Sequence, residues 1–256
     1  MSLANFNIHI LSRPSFDIDV FLNFLKDEKL EWDRSPSTDA DGLIEASGRV
    51  CYMSFGKGRQ SGKNNSEYIK HLISQGHESV LEHINWTFLI QGISRAFTHQ
   101  LVRHRVGFSF SQLSQQYHDE HNAKFVVPPN LAEDKELFNL WEEHVESSLE
   151  LYKKLAAKLP KTPNVNSDNR RELIRDLRTA SRSVLPNATE TKIVVTANAR
   201  ALRHFFALRG AIEGDWEMRK VACALYHEVT KDAPACFQDF EIKMMSDGSH
   251  KLLQTK

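Results

Sequence analysis

Residues 84–105 read INWTFLIQGISRAFTHQLVRHR, and the change of period inside this stretch decides the fold class. From Ile84 to Ile90, the apolar side chains Ile84, Trp86, Phe88 and Ile90 alternate with Asn85, Thr87 and Leu89. A period of two is a strand, here with one strongly apolar face. From Ser94 to about Arg105 the pattern turns helical. Arg95, His99 and Arg103 stand at i, i+4 and i+8, beside a second column of Gln100 and His104.

Working outward, Phe6–Leu11 alternates as a first strand, and 17–30 reads as an amphipathic helix with Phe21, Leu22, Phe24 and Leu25 inward. Residues 33–42 (DRSPSTDADG) are turn-rich, 54–66 form a polar Gly/Lys loop, and a helix spans about Ser66 to Ser74. Downstream, Phe125–Pro129 reads as a strand end closed by two prolines. Residues 132–159 form the clearest helix, with Leu137, Trp141, Val145, Leu149 and Tyr152 in one stripe. After a turn-rich 160–169 come a helix at 170–182, the stop Leu185-Pro186-Asn187 and a β-branched run at Ile193–Thr196. Helices at about 197–210 and 215–231 follow. Helices outnumber strands and do not alternate regularly with them. The expectation is α+β, a mixed sheet core flanked by helices with one long-helix region.

The chain has 256 residues, with 33 Lys plus Arg against 33 Asp plus Glu and 12 His. That length suits a single domain over 1–256 that folds without disulfides or metal. Balanced charge excludes a general nucleic-acid coat protein, and no apolar run approaches the ~20 residues of a membrane span. Cys51, Cys223 and Cys236 show no metal or disulfide spacing, and the N-terminus has no signal-peptide pattern, so a cytoplasmic protein is expected.

Some patterns imitate known sites. Gly56 to Lys63 suggests a phosphate loop, but Lys57 and Asn64 break its spacing at both ends. His77-Glu78 would begin a two-His zinc helix, but Leu81 stands where the second His belongs. His118-Asp119-Glu120-His121 are consecutive and read as a solvated turn. No metal is expected.

The charge is neutral in sum but segregated along the chain. Between Gly92 and His118 there is no acidic residue, while Arg95, His99, Arg103, His104 and Arg105 are present. Between Thr191 and Ile212 the same holds, with Lys192, Arg200, Arg203, His204 and Arg209. The helix at 170–182 adds Arg171, Arg175, Arg178 and Arg182 near one face. Guanidinium forks hold planar or oxyanionic groups bidentately, so a phosphorylated, planar ligand is expected. The uncharged run from Val106 to Tyr117 suits stacking on a heterocycle.

Several ordered motifs make this more specific: GHESVLEH (76–83), the strand after it, GISRAFTHQLVRHR (92–105), SQLSQQY (111–117), SRSVLPNATET (181–191) and TANARALRHFFALR (196–209). Together they resemble the flavin-dependent thymidylate synthases from about Ala46 to Phe240, leaving a polar C-terminal tail at about 245–256. The family hallmark is R-H-R-x7-S; this chain has Arg103-His104-Arg105 and eight residues before Ser114, one extra near Gly107. Where the family usually has Arg in S-x-R-Y, this chain has Gln116.

The resemblance implies conversion of dUMP to dTMP, with methylenetetrahydrofolate as carbon donor, FAD as hydride carrier and NADPH as reductant. It also implies a homotetramer whose active sites draw on several subunits. By matching position, the flavin would meet Ser79, Arg103, His104, Arg105, Gln112, Asn198, Ala199, Arg200 and His204. The nucleotide would meet Gln100, Arg103, Gln112, Leu113, Ser114, Gln115, Gln116, Arg182 and Arg209, with Arg95 near its phosphate. Arg209 is the family's polarising cation. A fixed cation at the pyrimidine edge stabilises developing anionic character without an enzyme nucleophile. No local motif fixes a base beside Ser114, so it reads as a hydrogen-bonder. Replacing Arg by Gln116 removes a charged hydrogen bond of roughly 1.5–3 kcal/mol, leaving ~1 kcal/mol. The expected consequence is weaker dUMP binding or a different uridine nucleotide such as UMP. A non-catalytic nucleotide- or RNA-binding protein is the reading from another class; the balanced charge and the density of motif matches oppose it.

Overall fold

The computed structural model describes residues 1–56, 62–158 and 167–255. In chain order the elements are β1 (Ser2–Leu3), β2 (Asn7–Ser12), α1 (Ile18–Asp27), α2 (Asp39–Tyr52), α3 (Asn65–Ser74), a 3₁₀ turn (Glu78–His83), β3 (Asn85–Ser94), α4 (Arg95–Leu101), β4 (Phe108–Gln112) and β5 (Lys124–Phe125). Then come α5 (Pro129–Ala132), α6 (Lys135–Ala156), α7 (Ser167–Ser181), a 3₁₀ turn (Arg182–Val184), β6 (Glu190–Asn198), α8 (Ala199–Arg209), α9 (Trp216–Asp232), β7 (Phe240–Met244) and β8 (His250–Gln254). The class is α+β, as expected. One sheet has the order β2-β3-β6-β4, and two-stranded sheets join β1 to β5 and β7 to β8. Among the described residues no helix is long and apolar enough to cross a membrane.

Internal contacts divide the chain into two compact units. The first comprises Met1–Asn7, Leu89–Arg103 and Phe110–Val194. Its core gathers Phe125, Val145, Leu149 and Tyr152, with Met1 and Trp141 packed against them. Asp134 caps α6 by accepting from the Glu136 and Leu137 N–H groups. The stripe expected on this helix is buried only from Val145 onward; Trp141 is half-buried and Leu137 is exposed. α4 stops at Leu101, where the N–H groups of Val102 and Arg103 close its last turn onto Thr98 and Gln100. Arg103 therefore lies beyond the helix, and the three-residue Arg95–His99–Arg103 column is not completed. The turn-rich reading of 160–169 falls outside the described residues as far as 166, and 167–169 are already helical.

The second unit comprises Ile8–Phe88, His104–Ser109 and Val195–Lys256. Trp86 on β3 is fully buried and donates from Nε1 to Asp232 Oδ2 at 2.8 Å. Phe206 of α8 packs on Phe237 and Phe240 with ring centroids 5.7 and 6.0 Å away. On α1 only Leu25 is buried, and Leu22 and Phe24 face outward, because Ile18, Phe21 and Leu25 already form the inward i, i+3, i+7 row. The stretch read as turns at 33–42 includes the start of α2: Thr38 caps it by accepting from the Asp41 N–H, and acids fill its first turn. The expected polar tail is instead β8, paired antiparallel with β7 so that Leu252 faces Ile242 and is buried.

Candidate active site

The expected site residues fall in two groups, one in each unit. In the second unit, α8 begins where Asn198 accepts from the Ala201 N–H at 2.8 Å, while the Asn198 N–H donates to the Gly107 carbonyl. Gly107 has φ +73°, and a Cβ there would lie 2.7 Å from Asn198 Nδ2 and 2.8 Å from Ala201 Cβ. The residue near which the sequence carries its insertion is thus held to glycine by backbone angle and by space. Ala199 is buried behind this cap, with its N–H on the Ile84 carbonyl.

At the other end of α8, Arg209 Nε donates to His104 Nε2 at 3.2 Å. Accepting at Nε2 requires a neutral imidazole. Burial, then Arg209, then His204 hold the His104 pKa below its ordinary value, consistent with that state. His104 packs edge-on to Phe205 at 5.2 Å, with Phe108 at 6.0 Å and His204 at 6.2 Å. His204 and Arg200 are exposed at i, i+4 on α8, and Ser79 and Arg105 are also exposed. Arg200 forms ion pairs with Glu82 at 2.6 Å and Glu78 at 3.4 Å, in the turn that carries Ser79.

Arg203 departs from the sequence reading. Its window holds no acid, yet Arg203 is buried in a bidentate pair with Asp239, at 2.6 and 2.8 Å, and donates to the Cys236 carbonyl. Burial opposes both charges, but the pairing holds Asp239 below its ordinary range and Arg203 above its own. Arg203 is a structural cation. By contrast, Arg103, Arg105, Arg182 and Arg209 have no carboxylate in ion-pair contact among the described residues.

In the first unit, Arg95 is half-buried at the start of α4 and reaches the Leu113 carbonyl from Nη1 at 3.4 Å. Burial depresses its pKa, Glu120 pulls it up and Arg182 pushes it down, so two guanidiniums act on one another. Gln112 Nε2 donates to Thr98 Oγ1 at 2.9 Å and Thr191 Oγ1 at 3.3 Å, which fixes the end of β4. Leu113 follows with its N–H on the Lys192 carbonyl. Ser114 Oγ accepts from the Gln116 N–H at 3.3 Å, and its carbonyl accepts from the Tyr117 and His118 N–H groups. Gln115 is buried, Gln116 half-buried, and Gln100 and Arg103 are exposed.

Sequence reasoning missed Thr98, Thr191 and Glu120. Burial raises the Glu120 pKa, against His118, Gln115 and Arg95. The signal for Glu120 was available: it sits just past an acid-free window and answers a cation inside it. Nothing in the sequence marked the two threonines. Among the described residues no group of three or more His, Cys, Asp or Glu is placed to hold a metal ion.

The model of the family described as Thymidylate synthase complementing protein matches residues 35–235. The chain belongs to the flavin-dependent thymidylate synthases. It is 44% identical over 220 residues to the protein so named from Mycolicibacterium vanbaalenii, covering 83% of this chain and 86% of that protein. The namesake from Mycobacterium avium is 44% identical over 232 residues, covering 89% and 90%. That from Mycobacterium tuberculosis is 43% identical over the same length and coverage. The enzyme family identified by its motifs is thus the family found by comparison along nearly the whole chain. Arg103 closes one segment of the first unit, and His104 and Arg105 open a segment of the second.

Proposed function

We propose that the protein methylates dUMP at C5 to give dTMP, with methylenetetrahydrofolate as carbon donor, FAD as the flavin and NADPH as reductant. The observation that carries this is Arg209, a guanidinium oriented by a neutral His104 and free of any carboxylate ion pair among the described residues. Its Nε is used on His104, so the two terminal nitrogens remain as a planar fork. Such a fork suits the N3 and carbonyl edge of a uracil, where it would stabilise anionic character as C5 becomes nucleophilic.

The residues of the second unit fit a flavin. Phe108, half-buried beside His104, offers an aromatic edge to a planar heterocycle, with the buried Phe205 packed behind it. Ser79, Arg105 and His204 are exposed donors, with Asn198, Ala199 and Arg200 at the start of α8. Bound flavin supplies hydride chemistry that no side chain can. In the first unit, Arg95 and Arg182 favour a phosphate, and Leu113 through Gln116 offer backbone, hydroxyl and amide groups to a nucleotide. Ser114 acts there as a hydrogen-bonder. A homotetramer with shared sites is part of this proposal.

Arg209→Ala is expected to lower dTMP formation by at least ~100-fold, the scale for losing one oriented charge-stabilising donor, while the flavin absorbance of the purified protein persists. Retained turnover in that variant overturns the role of Arg209. Complementation of a thymidine auxotroph tests substrate and product together. A second reading, the same chemistry on UMP or another uridine nucleotide, is favoured by the uncharged Gln116. Deuterium release from C5 of dUMP and of UMP, measured side by side, separates the two.

A further inference from the structure

The short turn from Ser114 to Tyr117 has few internal ties: the Ser114 hydroxyl takes the Gln116 N–H, and the Ser114 carbonyl takes the Tyr117 and His118 N–H groups. Gln115 is buried, but Tyr117 is 61% exposed, so packing does little to hold that end of the segment. Two arginines one turn apart on α7 grip it. Arg178 Nη1 donates to the Tyr117 carbonyl at 2.7 Å, across 61 residues of sequence. The Arg175 guanidinium lies over the Tyr117 ring, 5.2 Å from its centroid. A charge-assisted hydrogen bond and a cation–π contact on one residue fix both its backbone and its ring. The same helix ends at Ser181, directly before Arg182.

We infer that Arg178, supported by Arg175, is a positioning residue that holds the Ser114–Tyr117 turn in its nucleotide-binding shape. The inference rests on the proposal that Leu113 through Gln116 bind a uridine nucleotide, but the hold itself is measurable without one. The bond lies on the exposed side of the molecule. Losing it loosens the turn and leaves the fold intact.

The experiment compares Arg178→Ala and Arg178→Lys with the wild-type protein, using melting temperature and flavin absorbance as fold controls. Hydrogen exchange of the 114–118 amides is followed first. Protection is expected to fall in R178A and to recover largely in R178K, whose ammonium still reaches a carbonyl. The dissociation constant for dUMP is measured next, with an expected ~tenfold weakening in R178A and partial rescue by lysine, while kcat at saturating dUMP stays within about twofold. Unchanged protection in R178A overturns the inference, whatever happens to the nucleotide. Lost protection with unchanged dUMP affinity overturns the positioning role. If the wild-type protein does not bind dUMP at all, the functional proposal fails, and the exchange data alone decide whether Arg178 holds the turn.

Discussion

Arg200 and Arg203 sit three residues apart on α8, and their surroundings give them different weights. Arg203 is buried against the partly exposed Asp239, so Arg203→Ala removes a charged bidentate pair and should cost about 1.5–3 kcal/mol in urea unfolding. Arg200 pairs with Glu82 and Glu78 in the open, and Arg200→Ala should cost under about 1 kcal/mol. His104 adds a dependence on pH. Its pKa is held below the ordinary 6.5, mainly by burial, so the unfolded chain takes up this proton before the folded one. Its contribution to stability is complete above about pH 6.5 and is lost as pH falls below that. Protonation also removes the acceptor for Arg209. His104→Gln keeps an acceptor that does not titrate, so its pH–rate profile should lack the acidic fall expected of the wild type.

At the scale of elements, the passage from α4 through Gly107 into β4 shows how much one position can govern. Gly107→Ala puts a side chain into the left-handed region and into the cap of α8. The expected loss is about 2 kcal/mol, read as a lower melting temperature, with weaker retention of flavin. β3, α3, α6, α8 and α9 were legible because each carries a clear apolar period over enough residues. α2 was not, because Pro36, Ser37, Thr38 and Asp39 are both turn formers and helix starters, and only the Thr38 cap decides between them. β8 was hidden because a short strand with one buried side chain, Leu252, gains its order from its partner β7. For the candidate site, the motif residues were readable, but the bonds that aim them were not: the Arg209 to His104 bond spans 105 residues, and Gln112 to Thr191 spans 79.

For the molecule as a whole, Asp41 is a long-range tie. It accepts from the N–H groups of Ala235 and Cys236, at 2.9 and 3.1 Å, joining the first turn of α2 to the segment after α9. Burial raises its pKa from 3.8 to about 6, despite those hydrogen bonds. The folded state therefore holds this proton more tightly than the unfolded chain. The associated stability is complete below about pH 3.8 and is lost as pH rises through about 6, a swing of roughly 2–3 kcal/mol. This slope runs opposite to that of His104. Asp41→Asn should flatten the dependence between pH 4 and pH 6, measured by denaturation at each pH.

The 33 basic and 33 acidic residues cancel in the sequence, yet they are segregated along it into acid-free windows. By itself, the sequence determined the periods that make β3, α6 and α8, the acid-free windows and the motifs of the family. Only the tertiary structure decided which arginines stay available. Folding brings Asp239 to Arg203 and Glu82 and Glu78 to Arg200, and leaves Arg209 with a neutral imidazole. The reason is that hydrophobic period acts along the chain, while Coulomb and hydrogen-bond energies depend on distance in space.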